Sequence, residues 1–206
     1  MLPIPCRDQH FVVLDKPAGL PVRPGPRGGR SVEDFFPALS RRRDGPWLAH
    51  RLDADTAGCL AIALRRSALI AAQAEFAAGR AQKTYWAIVD GAPPAEIGCV
   101  ENQLSKVTSS LGWRMQAAPG GRRAVTAWRL LGSGEGIAWL ELAPRTGRTH
   151  QVRAHCAALG CPVLGDPIYG RGQGPLHLPA RAIALDLDPP LVATCGRRER
   201  RSLVHE

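Results

Sequence analysis

Residues 50–58 read His-Arg-Leu-Asp-Ala-Asp-Thr-Ala-Gly and set two carboxylates beside a histidine and an arginine. The apolar run 59–64 follows at once, so the segment reads as a loop at the edge of a sheet, where a rigid scaffold can hold reactive groups. An aspartate in a loop is commonly a turn former or cap. Asp55, just before Thr56-Ala57-Gly58, suits that role. Asp53 lies between the basic pair His50-Arg51 and a buried strand, which makes it the candidate for chemistry. A catalytic carboxylate must stay ionised when substrate excludes water, so it needs a nearby cation or donor.

A second polar block spans residues 144–155. Thr149 is the expected N-cap of a helix whose apolar face carries Val152, Cys156 and Leu159, and Gly160 ends it. His150 and Arg153, three apart, then sit together on a different face. Arg153 is the long-range cation expected to serve Asp53. Tyr85 falls within the apolar run 83–89; a tyrosine there either packs or stacks an extruded base.

Rival chemistries fit less well. His150, His155, Cys156 and Cys161 could be assembled into a zinc set, but the two histidines are five apart, off the four-residue spacing that stacks helical ligands. Cys156 is also expected to face the core. No metal is therefore expected. The sequence holds neither G-x-x-x-x-G-K-[ST] nor G-x-G-x-x-G, and residues 132–136 look like a turn. A nucleotide-cofactor enzyme is disfavoured and no cofactor is expected.

The elements that must position these residues follow from periodicity and turn chemistry. Strands are expected at 11–14, 59–64, 83–89 and 176–187, with a hairpin of 124–131 and 137–142 across the turn 132–136. Ser31 is expected to cap a short helix with Val32, Phe35 and Phe36. Ser67 is expected to cap a longer helix whose apolar stripe is Leu69, Ile70, Gln73, Phe76 and Ala77, ended by Gly79. Residues 92–123 are rich in proline, glycine and polar side chains and suggest at most short strands. Strands outnumber helices and are mostly joined by turns, so the fold class is α+β, mixed or antiparallel.

The 206 residues fit one large domain or two small ones, with no clear linker, and 45% hydrophobic content allows a substantial core. The net charge is +9 and arginine greatly outnumbers lysine. Arginine's planar fork suits phosphates and base edges, so a polyanion such as nucleic acid is the natural partner. A GC-rich genome would also raise Arg, Ala, Gly and Pro together. Residues 23–30 form a basic loop and the arginines of 189–206 a basic tail, while the run Arg41-Arg42-Arg43 reads as a solvated charge run that joins them as a grip only if the partner is RNA. Six dispersed cysteines without a C-x-x-C pair read as free thiols in a reducing compartment. There is no signal peptide-like start and no apolar run of membrane-spanning length. A soluble cytoplasmic protein with no membrane partner is expected.

Taken in order, the motifs resemble the RluA family of pseudouridine synthases from about residue 10 to residue 188. Leu14-Asp15-Lys16-Pro17-Ala18-Gly19-Leu20 is similar to that family's N-terminal strand and lysine-proline turn. His50-Arg51-Leu52-Asp53 with Thr56 and Gly58 resembles its catalytic motif, and Lys83-Thr84-Tyr85 the segment carrying its tyrosine. Residues 146–155, with Gly165-Asp166-Pro167-Ile168-Tyr169-Gly170, resemble its most specific block. Ala57 stands where the family usually has serine.

The resemblance implies a pseudouridine synthase fold, a long, largely antiparallel sheet flanked by helices with a central cleft. It implies isomerisation of uridine in ribosomal or transfer RNA, without metal or cofactor, by a monomer of one catalytic domain. That domain would span residues 1–206 with its core at about 10–188, leaving no room for an N-terminal S4 module. Asp53, Tyr85 and Arg153 match the family's catalytic residues. His50, Arg51, Arg148, His150 and Gln151, in the same motifs, are expected to bind substrate. An RNA-binding or chaperone protein that kept the fold without activity, and a zinc-dependent nucleic-acid hydrolase, are the contrasting readings.

Overall fold

The computed structural model describes residues 2–26, 28–110 and 112–196. In chain order the elements are β1 (Cys6–Arg7), β2 (Phe11–Lys16), a 3-10 turn (Val32–Phe35) running into α1 (Phe36–Leu39), β3 (Trp47–Leu48), β4 (Ala57–Ala63), α2 (Arg66–Ala77) and β5 (Gln82–Asp90). Then come β6 (Ile97–Ser109), β7 (Gly112–Ala117), β8 (Arg122–Gly134), β9 (Ile137–Pro144), α3 (Gln151–Ala158), β10 (Pro179–Leu185) and β11 (Leu191–Thr194). All described strands join one sheet in the order β1-β2-β4-β10-β5-β9-β8-β6-β7, with β11 on β10 and β3 on β4. Its pairings are antiparallel except β4 with β10. The fold is α+β, as the strand-turn pattern predicts.

Side-chain alternation builds the core. Leu60 and Ile62 of β4 pack with Val12 and Leu14 on one face. Cys59, Ala61 and Ala63 face the other way, toward α2 and the Ile183 and Leu185 side chains of β10. A third cluster joins Ala87, Val89, Leu140 and Leu142 to Val152 and Cys156 of α3. That contact seats the second polar block against the centre of the sheet. As the pattern predicts, the apolar face of α3 carries Val152, Cys156 and Leu159, and Gly160 follows its end at φ +79°.

Several expectations are corrected. Residues 92–123 form long strands: β6 runs for 13 residues and pairs with β8 on one side and β7 on the other. Ladder hydrogen bonds hold β6 although much of it is exposed, so its hydrophobic pattern is weak. The strand β8 continues to Gly134, and the tight turn is Glu135-Gly136, both at positive φ. α2 starts at Arg66, behind an Arg65 N-cap rather than Ser67. Its buried side is Ala68, Ala72 and Glu75, with Leu69 and Phe76 packing beside them, while Ile70 is 58% exposed. β4 is lined by small alanines there, so small residues bring the helix close and the larger Ile70 faces water. The thiols of Cys59 and Cys195 are not free. They form a disulfide across 136 residues, with Cα atoms 5.4 Å apart. Cys6, Cys99, Cys156 and Cys161 are free. Arg27 and the arginines at 197, 198, 200 and 201 lie outside the described residues.

Candidate active site

Asp53 sits in the loop between β3 and β4, and buried backbone contacts hold that loop. The Thr56 amide donates to the Asp53 carbonyl at 3.2 Å. The Ala54 carbonyl accepts from Gly19 N at 2.9 Å and from Lys16 Nζ at 2.8 Å. Lys16 Nζ also donates to the carbonyls of Pro17 and Leu20. Fully buried, it ties the lysine-proline turn to the residue after Asp53. Burial lowers the Lys16 pKa to about 8, against the opposing pull of Asp55 and Asp53. On the other side of the loop, His50 Nε2 accepts from Ala61 N at 3.0 Å, and its ring lies 5.2 Å from that of Phe76. Burial, helped by Lys83, pushes the His50 pKa down to about 4. His50 is a neutral wall residue locked to β4.

Tyr85 projects from β5, where it pairs with Ala180 of β10 and Leu142 of β9. Burial raises its pKa, and the Asp53 charge adds to the effect. The phenol therefore stays neutral beside the carboxylate. α3 brings the third expected residue. Its N-cap is His150, not Thr149, and His150 takes a left-handed conformation at φ +50°. A bulky residue is rarely found there, and such strain persists where surrounding contacts enforce it. His150 Nε2 lies 3.9 Å from Asp53 Oδ2. Its ring stacks on Trp113 of β7 at 4.7 Å and meets Tyr169 edge-on at 5.9 Å. Burial lowers the His150 pKa and Asp53 opposes the shift.

Arg153 does not hydrogen-bond Asp53. Its Nε and Nη2 each donate to the Asp166 carboxylate at 2.7 Å, a bidentate pair. Asp166 Oδ1 also accepts from Ile168 N and Tyr169 N. Both side chains are withdrawn from solvent. Burial favours the neutral form of each, but the mutual hydrogen bonds and charge outweigh it, raising the Arg153 pKa and lowering that of Asp166. The Arg153 cation reaches Asp53 through space. Asp166 and Tyr169 lie in a motif that sequence alone leaves without roles. Here they fix the arginine, with Tyr169 beneath its guanidinium at 5.5 Å.

The remaining expected residues divide. Arg51 is exposed and Arg148 half-buried, and both line the cleft. Gln151 is committed within the protein: Oε1 accepts from Thr146 Oγ1 and Arg148 N, and Nε2 donates to the Val125 carbonyl and Thr126 Oγ1. These bonds tie the 145–149 loop to β8, and Gln151 also lines the cleft. Lys83, which sequence reasoning leaves without a role, also lines the cleft and donates to the Thr146 carbonyl at 3.1 Å. Burial, then the neighbouring Arg148, bring its pKa to about 8. The cleft has a volume of about 400 Å³ and gathers Asp53, Tyr85, Lys83, His150 and Arg153 from three separate segments. That volume is within the usual range for a small-molecule site.

The RNA pseudouridylate synthase family model matches residues 10–158. The chain belongs to this family. Its members are isomerases acting on RNA, and its relatives here are of the RluA type. A Zymomonas mobilis protein named an uncharacterized RNA pseudouridine synthase is 40% identical over 166 residues, covering 79% of this chain and 76% of that one. The ribosomal large subunit pseudouridine synthase D of the same organism is 33% identical, covering 89% of this chain and 60% of its own length. Among solved structures, human RNA pseudouridylate synthase domain containing 4 superposes with a TM-score of 0.79 at 28% identity, covering 94% of this chain and 87% of that one. Further curated relatives extend well beyond the match, and this chain spans 59% and 53% of two of them.

Proposed function

We propose that Asp53 is the catalytic carboxylate of an RNA pseudouridine synthase that isomerises a uridine within a ribosomal or transfer RNA stem-loop. The observation that carries this reading is the convergence of Asp53, Tyr85 and Arg153 on one cleft from a loop, a strand and a helix. The target uridine leaves its stack and enters the cleft with its base against Tyr85. Asp53 attacks the ribose or takes a ribose proton as the bond from C1′ to N1 breaks. Both routes require the ionised carboxylate, and Arg153 lines the same cleft. The uracil turns and C5 bonds to C1′, displacing the Asp53 carboxylate from C1′ on the first route or with Asp53 returning the ribose proton on the second. The proton on C5 then leaves, and N1 takes up a proton. Atoms and charge balance without cofactor or metal.

The RNA grip comes from Arg51, Arg148 and Lys83 around the cleft, with the wider basic surface supplying long-range attraction. We read residues 10–188 as one catalytic unit, because a single sheet runs through it, and the chain as a monomer working in the cytoplasm. Its membrane-independent character is consistent with the absence, among the described residues, of any helix long and apolar enough to cross a membrane.

The test is incubation of wild type and Asp53→Asn with total uridine-containing RNA, followed by mapping of modified positions. Wild type is expected to form pseudouridine and the variant none, with RNA binding retained. Equal product from both would remove Asp53 from the chemistry.

A further inference from the structure

Next to the Asp53 cleft, the β6–β7 hairpin and the loop before α3 enclose a second groove of about 660 Å³. Lys106, Arg122, Arg51 and Arg148 line it, and none of its lining residues is acidic. Trp113 projects into it from β7 and also lines the cavity that holds Asp53 and Arg153. Folding does not explain this indole. It is 39% exposed, on a hairpin whose neighbouring residues are mostly exposed, and belongs to none of the apolar clusters. Its ring is nevertheless well placed. Lys106 Nζ is 4.7 Å from its centroid, His150 stacks on it at 4.7 Å, and the next residue but one, Met115, donates its amide to Tyr169 Oη at 2.8 Å.

We propose that Trp113 is the stacking platform for the base of the nucleotide next to the target uridine, and that Lys106, Arg122 and Arg148 hold the phosphates of that strand. The inference rests on the RNA reading above and adds to it a binding position outside the catalytic cleft. His150 sets the spacing: its ring touches Trp113 while its Nε2 is 3.9 Å from Asp53. One imidazole therefore separates indole from carboxylate, a gap that a covalently attached neighbouring nucleotide can bridge. His150 stacks on the indole and the Lys106 ammonium sits over its ring, so an incoming base displaces the flexible lysine toward the strand's phosphates and takes its place. An aromatic ring beside cations in a groove without acids binds single-stranded nucleic acid with little regard to sequence. The groove then supplies affinity and register, and the Asp53 cleft supplies selection of the base.

The test titrates full-length protein with two labelled RNAs, an oligouridylate of about six nucleotides and an abasic ribose-phosphate oligomer of the same length. Trp113→Ala is expected to weaken the oligouridylate about 10-fold and to leave the abasic oligomer within about two-fold. Trp113→Phe should keep most of the oligouridylate affinity, which separates loss of stacking from loss of the hairpin. Arg122→Ala should weaken both probes and flatten the salt dependence. Equal losses on both probes for Trp113→Ala, or no loss on either, overturn the stacking assignment. A loss confined to the oligouridylate for Arg122→Ala overturns the phosphate assignment. Asp53→Asn should bind the oligouridylate as wild type does, so failure of stacking and failure of the catalytic reading give different results.

Discussion

Arg153 and Asp166 form a fully buried pair in which each carboxylate oxygen meets a guanidinium nitrogen at 2.7 Å. Removing one member of such a pair leaves an uncompensated charge out of water, at a cost of about 3–5 kcal/mol. Arg153→Ala is therefore expected to lose that much stability in a denaturant titration, and any fall in turnover must be judged against it. The double variant Arg153→Met with Asp166→Asn should regain part of the loss. A single-variant loss below about 1 kcal/mol would contradict the burial. Lys83 gives a pH prediction. An ordinary lysine titrates near 10.5, whereas Lys83 and Lys16 are lowered to about 8. Between those values the unfolded chain keeps protons that the folded chain has released, so fold stability rises with pH across that window. RNA affinity moves the opposite way, because the Lys83 cation is lost. The KM for RNA should rise as pH passes about 8, and Lys83→Arg should remove that limb. A limb that survives in Lys83→Arg belongs to another group.

At the scale of elements, the cleft depends on where β4 begins. Gly58 stands at the parallel contact of β4 with β10, where it pairs with Ala180. It has φ +108°, and a Cβ there would collide with the Ala180 backbone. The Asp53 loop enters this strand, so the close approach of the two strands fixes where the loop ends. Gly58→Ala combines a strained backbone with a clash against a strand that cannot yield, and should cost about 3 kcal/mol or more. Thermal denaturation reads the effect, and a variant as stable as wild type would show that the strands separate easily. α3 is held in a different way. It is buried from Gln151 through Cys156, with Gln151 bonded to β8 and His155 Nε2 3.1 Å from Asn102 Oδ1 on β6. The helix carrying Arg153 is thus wedged between the sheet and the hairpin that bears Trp113.

For the whole molecule, the sheet is continuous from β1 to β7 and lets distant segments share one cleft. The net charge of +9 is consistent with an RNA-binding surface. The Cys59–Cys195 disulfide spans 136 residues and links β4 to the end of β11. Titration of the denatured, unreduced protein should find the four thiols of Cys6, Cys99, Cys156 and Cys161, and six after reduction. Six before reduction would mean that the pair is reduced in the isolated protein, as a reducing compartment favours.

The sequence by itself determined the fold class, most strands and the apolar face of α3, because alternation and helical spacing are local properties of the chain. It also singled out Asp53, Tyr85 and Arg153, since ordered motifs carry residue identity. The hairpin β6–β7 was not legible. Its stability comes from pairing with β8, and its outward side chains leave little periodic signal. Only the tertiary structure decided the partner of Arg153, the inward commitment of Gln151, the anchoring of the Asp53 loop by Lys16, and the position of Trp113. Each depends on contacts between segments far apart in sequence. A residue's type states which bonds it can make, and the fold states which partners are near enough to make them.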